Sequence, residues 1–517
     1  MRAIAWTQWV RIAGAVFLGA AVLPGVARDA AAHEDSDPKD FLGGEDFAVQ
    51  AGTAFYAWTG EGETLDATFT PADMTERPKQ GAVVAVTDPA GKVRGECVLK
   101  PGQDDKVCRI ANQSAKKPGV WRVDYRPLGE GTAVAANWDV RVTAGGDVRK
   151  GRVWTEAYHV YQQSGKDGDI SLYYLSQTGF QYKATFRGYN GLWSGFQASA
   201  AGLTELDSCV PIDHSPGGMK GDFDSDLSRC GPYKVFFQRP ADELPESAAV
   251  AGGDETWLLT PVREPSLGEV SFTPAGPHEV PGDFVVRVTD HIGTVRLDLD
   301  LNADGDVEDE VDRRILWGIT SVGENDVAIP WDGLDGNGKA VRNGRDLRVT
   351  AVIDRIAPIY FVNSDVEGRS GGIEVWYLNG PGEGGQRVYW NDSPEPGAEN
   401  QADQSGDVES LGGARNWTFD SDWGDGRPIQ DWSYVEADVR TEPATVVLPP
   451  RPPTQAELDA RAAAAISFWQ TPFGTVTWIA VVTSVVGLGL LLLISRRDRR
   501  RDIDGEQQPG RKLAGLS

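Results

Sequence analysis

Val83-Val84-Ala85-Val86-Thr87 runs directly into Asp88-Pro89-Ala90-Gly91, and this coupling of a short β-branched run to a chain reversal sets the fold class. Branched side chains suit a pleated surface, whereas Asp, Pro and Gly each favour a turn for their own steric reason. Similar runs recur at Phe284-Val285-Val286-Arg287-Val288 and at Leu347-Arg348-Val349-Thr350-Ala351-Val352. The 61 glycines and 31 prolines supply the punctuation between them. The expected fold is mainly β: several β-sandwich modules in tandem, immunoglobulin-like or jelly-roll-like, plus one C-terminal transmembrane helix. A chain of 517 residues exceeds what one core can serve. Between the apolar ends only Gln455 to Phe468 reads as a helix.

Working outward, the sequence divides into a signal peptide (1–32), a linker (33–44), a first sandwich module (45–147), a second β-rich module (148–262), an immunoglobulin-like third module (263–355) and a fourth β-rich module (356–447). A Pro-rich stalk with a short helix (448–473) follows, then the transmembrane helix (474–494) and a cytoplasmic tail (495–517). Leu448-Pro449-Pro450-Arg451-Pro452-Pro453 favours a stiff polyproline stretch.

Both ends read as targeting signals. Arg2 and Arg11 precede the apolar run Ile12 to Val26, which ends in Ala30-Ala31-Ala32; charged, apolar and small in that order is a secretory signal. Gly474 to Ile494 has no charged residue and is long enough to cross about 30 Å of hydrocarbon. Arg496, Arg497, Arg499, Arg500 and Arg501 follow it, which places the C-terminus in the cytoplasm and the bulk of the chain outside.

The net charge is −26, and both targeting ends are themselves net positive, so the body is more acidic still. Such a surface repels phosphate backbones and excludes nucleic acid as a partner. Four cysteines allow three pairings; the local pairs Cys97 with Cys108 and Cys209 with Cys230 are preferred because each brackets a turn-rich excursion. Zinc is the alternative, but Cys-x-x-Cys spacing is missing.

The clearest chemical signal is Asp300-Leu301-Asn302-Ala303-Asp304-Gly305-Asp306-Val307-Glu308-Asp309-Glu310. Oxygen donors at alternate positions around a turning glycine are what calcium needs to gather six to eight ligands, and the expected set is Asp300, Asn302, Asp304, Asp306, Asp309 and Glu310. Val311 occupies the twelfth position, where an EF-hand carries its bidentate acid, so Asp309 or Glu310 has to replace it. The plain alternative is a solvated acidic turn. Asp222-Phe223-Asp224-Ser225-Asp226 is a second candidate without the glycine.

Pro330-Trp331-Asp332-Gly333-Leu334-Asp335-Gly336-Asn337-Gly338-Lys339 resembles the Trp-Asp-Gly signature of the immunoglobulin-like module in flagellar hook-capping proteins. That resemblance implies a scaffold in which Asp-Gly pairs build turns and the Trp packs beneath them. Residues 62–69 and 86–91 are similar to the small jelly-roll modules of secreted bacterial proteins. Asp365-Val366-Glu367-Gly368, Trp423-Gly424-Asp425-Gly426-Arg427 and Gly188-Tyr189-Asn190-Gly191 resemble segments of membrane-anchored surface proteins of actinobacteria, which implies no particular chemistry.

Gly368-Arg369-Ser370-Gly371-Gly372 matches the serine-hydrolase elbow pattern, but a strand follows it and His291 is the last histidine, so no catalytic triad can be assembled in the usual order. Trp417, Trp423 and Trp432 form either a sugar-stacking platform or, with more weight, core. The functional expectation is a non-catalytic binding or structural ectodomain at the cell membrane, with calcium-stabilised loops and an extracellular protein or glycan as partner. The competing readings are a membrane-tethered polysaccharide-acting enzyme and a calcium-dependent carbohydrate binder.

Overall fold

Thr53–Thr59 buries every second side chain, Phe55 and Ala57 among them, and half-exposes those between; Thr64–Pro71 does the same with Leu65, Ala67 and Phe69. This period of two is the mark of strands with one face turned to a core. The computed structural model describes residues 47–162, 167–218, 223–323, 325–394, 405–419 and 423–470, with 481, 482, 484–486, 488, 490 and 492. Among them the chain is mainly β, in antiparallel sheets.

Two large sheets carry most of the strands. The first orders Ser405–Glu409, Arg387–Asn391, Pro428–Arg440, Asp346–Ser364, Trp193–Ser199, Tyr158–Gln162, Phe47–Val49, Ala136–Ala144, Thr64–Pro71 and Cys108–Gln113. The second orders Gly384–Gly385, Gly368–Tyr377, Gln181–Asn190, Gly168–Leu175, Lys234–Phe236, Val153–Thr155, Thr53–Thr59, Gly119–Pro127, Ala82–Thr87 and Val93–Leu99. Their inner faces enclose one continuous apolar cluster that runs from Phe47 to Ile429 in sequence. Rings cross between the sheets: Phe55 lies 4.4 Å from Trp138, and Tyr174 lies 5.1 Å from Phe361.

The strand pairing departs from separate tandem sheets. Phe47 pairs with Gln162, Gly195 with Ser364 and Tyr182 with Tyr377, so strands from 45–147, 148–262 and 356–447 share both large sheets. Residues 263–355 add a sheet of Ser266–Pro274, Gly282–Thr289 and Asn325–Trp331. They also send Gly293–Asp300 and Arg313–Ile319 into the first large sheet. The strand Asp346–Ser364 joins the two regions: its first part pairs with Gly293–Asp300 and its last part with Trp193–Ser199.

Local expectations are met in detail. Asp88 accepts the Ala90 and Lys92 backbone N–H groups at 3.0 and 2.8 Å and closes the hairpin after Thr87. Both local disulfides are present, Cys97–Cys108 and Cys209–Cys230. Trp331 is buried beneath its turn, and its indole N–H donates to the Leu334 carbonyl at 3.0 Å. The helix spans Gln455–Gln470 and opens on a capping box: the Glu457 N–H donates to Thr454 Oγ1 and the Thr454 N–H to Glu457.

That helix belongs to a second compact unit with 274–281, 341–345 and the chain from Val447 onward. Within it the Pro-rich stretch is pinned at its start: the Leu448 N–H donates to Arg345 O, and Pro449 O accepts the Gly344 N–H at 2.9 Å. The expected signal peptide (1–32) and linker (33–44) lie outside the described residues, as do the tail and most of 474–494. No helix among the described residues is long and apolar enough to cross a membrane. The described residues of 481–492 are helical, and Val481, Val482, Val485, Val486, Leu488, Leu490 and Leu492 are all exposed.

On the outer face of the second sheet, Leu244, Ala248 and Leu258 cover Trp154, Tyr173 and Phe236. Lys234 is buried there, its ammonium 4.1 Å from the Trp257 ring centroid and 2.9 Å from Thr256 Oγ1. No local pattern marks Lys234 as a core lysine, because only the fold brings 244–258 over it. Burial pulls its pKa down to about 8, against a smaller opposing pull from Glu156. Below pH 8 both folded and unfolded states hold the proton; between about 8 and 10.5 only the unfolded state does, so stability rises with pH across that window. The expected gain is at most about 1.4 kcal/mol per pH unit. Melting between pH 8 and 9.5 checks it: Lys234→Met should flatten the rise, and an equally steep rise in that variant would refute the assignment.

Candidate metal sites

The 300–312 loop begins where the strand Gly293–Asp300 ends, and Asp300 is buried at its base. Its carboxylate accepts the Ala303 and Gly305 N–H groups at 2.5 and 3.0 Å, which wraps the loop around it. Ala303 and Gly305 both take positive φ, 62° and 92°, the reversal that Gly305 allows at no steric cost. A ladder of side-chain-to-backbone bonds continues outward, from Asp304 N–H to Asn302, from Asp306 N–H to Asp304 and from Glu308 N–H to Asp306.

At the loop's open side the Asn302 amide nitrogen lies 2.8 Å from both the Asp304 and the Asp309 carboxylates. A weakly positive group thus occupies the point where two anions converge. Glu308 is drawn away to Arg314. Glu310 is exposed, and its backbone carbonyl is held by Asn337 Nδ2 at 3.1 Å. Asp312 turns inward instead. It is 7% exposed, its Oδ1 accepts the Leu301 N–H at 2.7 Å, and its Oδ2 has no hydrogen-bond partner among the described residues. Burial raises its pKa, and so do the Asp300, Asp309 and Asp304 carboxylates that crowd it.

The Trp331 turn braces this loop from below. The Gly336 N–H donates to Val311 O at 3.0 Å, and a side chain at Gly336 would strike the Glu310 and Asp312 carbonyls. Of the expected ligand residues, Asn302 draws Asp304 and Asp309 to one point, Asp300 holds the base of the loop, Asp306 serves the Glu308 N–H and Glu310 faces outward; among the described residues the three carboxylates whose oxygens converge within 4.8 Å lie elsewhere. Asp312 lies one position beyond the twelve-residue EF-hand spacing, so that spacing does not point to it.

In the second acidic run, Asp222 lies outside the described residues. Asp224 is taken by Arg229 at 2.6 Å, and Asp226 caps the short turn Leu227–Arg229.

Asp365, Glu367 and Asp425 form a separate cluster, with one carboxylate oxygen from each within 4.8 Å of the others. Asp365 sits at φ 54°, accepts the Trp193 N–H at 2.6 Å, and has its pKa raised by burial and by the neighbouring Asp425. Gly191 and Gly424 make the approach possible: a Cβ at Gly191 would lie 2.1 Å from Asp365 O, and one at Gly424 2.3 Å from Val366 O. The three segments Gly188–Gly191, Asp365–Gly368 and Trp423–Arg427, distant in sequence, meet at this point.

No family model matches the chain, and no curated protein matches it.

Ser370 lies within the strand Gly368–Tyr377, not at a strand-to-helix elbow. Trp417 and Trp432 are buried in different sheets, and Trp423 stacks on Phe419 at 3.7 Å, so the three rings do not form one platform. A groove of about 660 Å³ lies on the solvent side of Thr64–Pro71, Cys108–Gln113 and Ala136–Ala144. Its carboxylates are engaged, Asp66 by the Asn112 N–H and Asp139 by Arg141.

Proposed function

We propose that this chain is a membrane-held, outward-facing ectodomain that serves as a binding or structural element of the cell envelope, non-catalytic and stiffened by calcium at its acidic loop. The observation that carries this reading is the run of helical, exposed Val and Leu side chains between 481 and 492, since a lipid surround is what satisfies an apolar helix exterior. Two disulfides, with no free cysteine among the described residues, suit an oxidising compartment. Protease added to intact cells tests it: the expected result is loss of the large fragment and survival of a short membrane-bound remnant, whereas a fully protected chain would refute outward display.

A glycan partner draws support from the half-buried Tyr389 and Tyr434, whose rings stack at 4.7 Å beside Trp432 with Arg355 over Tyr434. Flat apolar ring faces of this kind suit the C–H surface of a sugar. A glycan array on which the purified protein gives no signal would remove this version and leave the structural one.

A further inference from the structure

We propose that the groove over Thr64–Pro71, Cys108–Gln113 and Ala136–Ala144 binds a glycan that carries isolated carboxylates, with Arg109 as the residue that reads their charge. This rests on the binding part of the reading above and goes further, because it places the glycan on strands other than those of Tyr389 and Tyr434. Alternation sends Leu65, Ala67, Trp138 and Val140 into the core, which turns Thr64, Asp66, Thr68, Asp139, Arg141 and Thr143 toward solvent. Register then aligns the groove floor in three cross-strand rungs: Asp139 beside Thr68 beside Arg109, Arg141 beside Asp66, and Thr143 beside Thr64. The rungs repeat about every 7 Å along the strands. The space above them is about 660 Å³.

Charge in the rungs is matched except at one point. Arg141 is paired with Asp139, and Asp66 accepts the Asn112 N–H. Arg109 is exposed, and its side chain makes no hydrogen bond or ion pair among the described residues, so its guanidinium lines the groove with all its donors free. Beside it the Thr68, Thr64 and Thr143 hydroxyls can both donate and accept, as sugar hydroxyls do. Apolar side chains in the lining are confined to Val107 and Val148, whereas pockets for apolar small molecules are mostly apolar. An extended peptide is also poorly served. Thr64–Pro71 is hydrogen-bonded to a strand on each side, so the floor offers no free backbone to pair with one. A densely charged polymer would meet the field of the acidic body, but a lone carboxylate responds mainly to the nearest guanidinium. At the turns of Gly62 and Gly145-Gly146 a Cβ would meet nothing within 4 Å, so a chain longer than the floor can run out at that end.

The test is an array of oligosaccharides that each carry one glucuronate, galacturonate or sialate, printed beside their carboxyl-reduced forms and probed with the full-length chain in detergent micelles. Acidic members should give signal, and their reduced forms should bind about tenfold more weakly or worse, the worth of one charge-assisted hydrogen bond. Arg109→Gln should lose the same factor on acidic members and nothing on reduced ones, with melting unchanged because the side chain is exposed and unbonded. Asp139→Asn frees the Arg141 guanidinium and should tighten acidic binding. Tyr389→Ala should leave the signal intact, and a serine-glycine peptide with one glutamate should not compete. Equal signal on acidic and reduced forms, or signal unchanged in Arg109→Gln, would overturn the role of Arg109. Loss in Tyr389→Ala with retention in Arg109→Gln would move the glycan to the tyrosines and leave that reading standing without this one. Competition by the peptide would overturn the choice of sugar, and a blank array would remove both glycan sites.

Discussion

Asp431→Asn is expected to cost about 3–5 kcal/mol of stability, because it strands buried positive charge. Asp431 is fully buried between two guanidinium groups: Arg369 grips it at 2.9 and 3.1 Å, and Arg415 reaches it at 2.7 Å while also holding Asp392. Two arginines and two aspartates make a neutral set inside the sheets. Burial pushes the Asp431 carboxyl up, but the two arginines together pull it below its ordinary range. Removing its charge leaves Arg369 hydrogen-bonded to no anion among the described residues. Trp417, whose ring centroid lies 4.4 Å from the Arg369 guanidinium, offers only a weak substitute. The measurement is the urea midpoint of single and paired variants. Arg369→Met combined with Asp431→Leu should recover much of the loss, since Arg415 then keeps Asp392 and no buried charge is unbalanced. If Asp431→Asn shifts the midpoint by less than the equivalent of about 1 kcal/mol, the set does not behave as a buried ion network.

Trp138→Ala carries the second large effect, about 3–5 kcal/mol. Trp138 belongs to the first large sheet and packs between Phe55 of the second, at 4.4 Å, and Phe237, at 4.7 Å. Its indole N–H also donates to Tyr158 Oη at 3.2 Å, and burial alone holds that phenol far from ionisation. Truncation removes an indole from the seam between the two sheets and leaves a cavity that backbone from two sheets cannot jointly collapse into. Trp138→Phe should cost clearly less, as it keeps the ring contacts and loses only bulk and one donor. Equal midpoints for the alanine and phenylalanine variants would show that the seam does not depend on this ring.

The parts of the fold legible in the sequence are those decided by neighbours along the chain. Alternation in Thr53–Thr59, the Asp88 turn, the two short-range disulfides and the Thr454–Glu457 cap all rest on residues close to one another in sequence. The sheet partners do not. Phe47 meets Gln162 and Tyr182 meets Tyr377, choices that no local pattern encodes, so boundaries drawn at composition shifts could not reveal shared sheets. The ion network was hidden for a related reason. Pro428 to Ser433 are buried without a break, because both faces of that strand are covered, and polar residues in such a run read as surface. In the acidic loop the donors up to Asp309 were visible as alternation, but the inward turn of Asp312 depends on its bond to Leu301. The meeting of Asp365 with Asp425 depends on glycines in three separate segments.

The long strand Asp346–Ser364 has a consequence for the order of assembly. It lies in the first large sheet between Trp193–Ser199 and Pro428–Arg440, so a chain emerging N-terminus first must keep the edge of Trp193–Ser199 waiting until residues beyond 360 arrive, and the next edge until those beyond 428 do. Closure is therefore late and stepwise, and a ribosome that stops early releases a product with an open, adhesive sheet margin in place of a smaller finished domain.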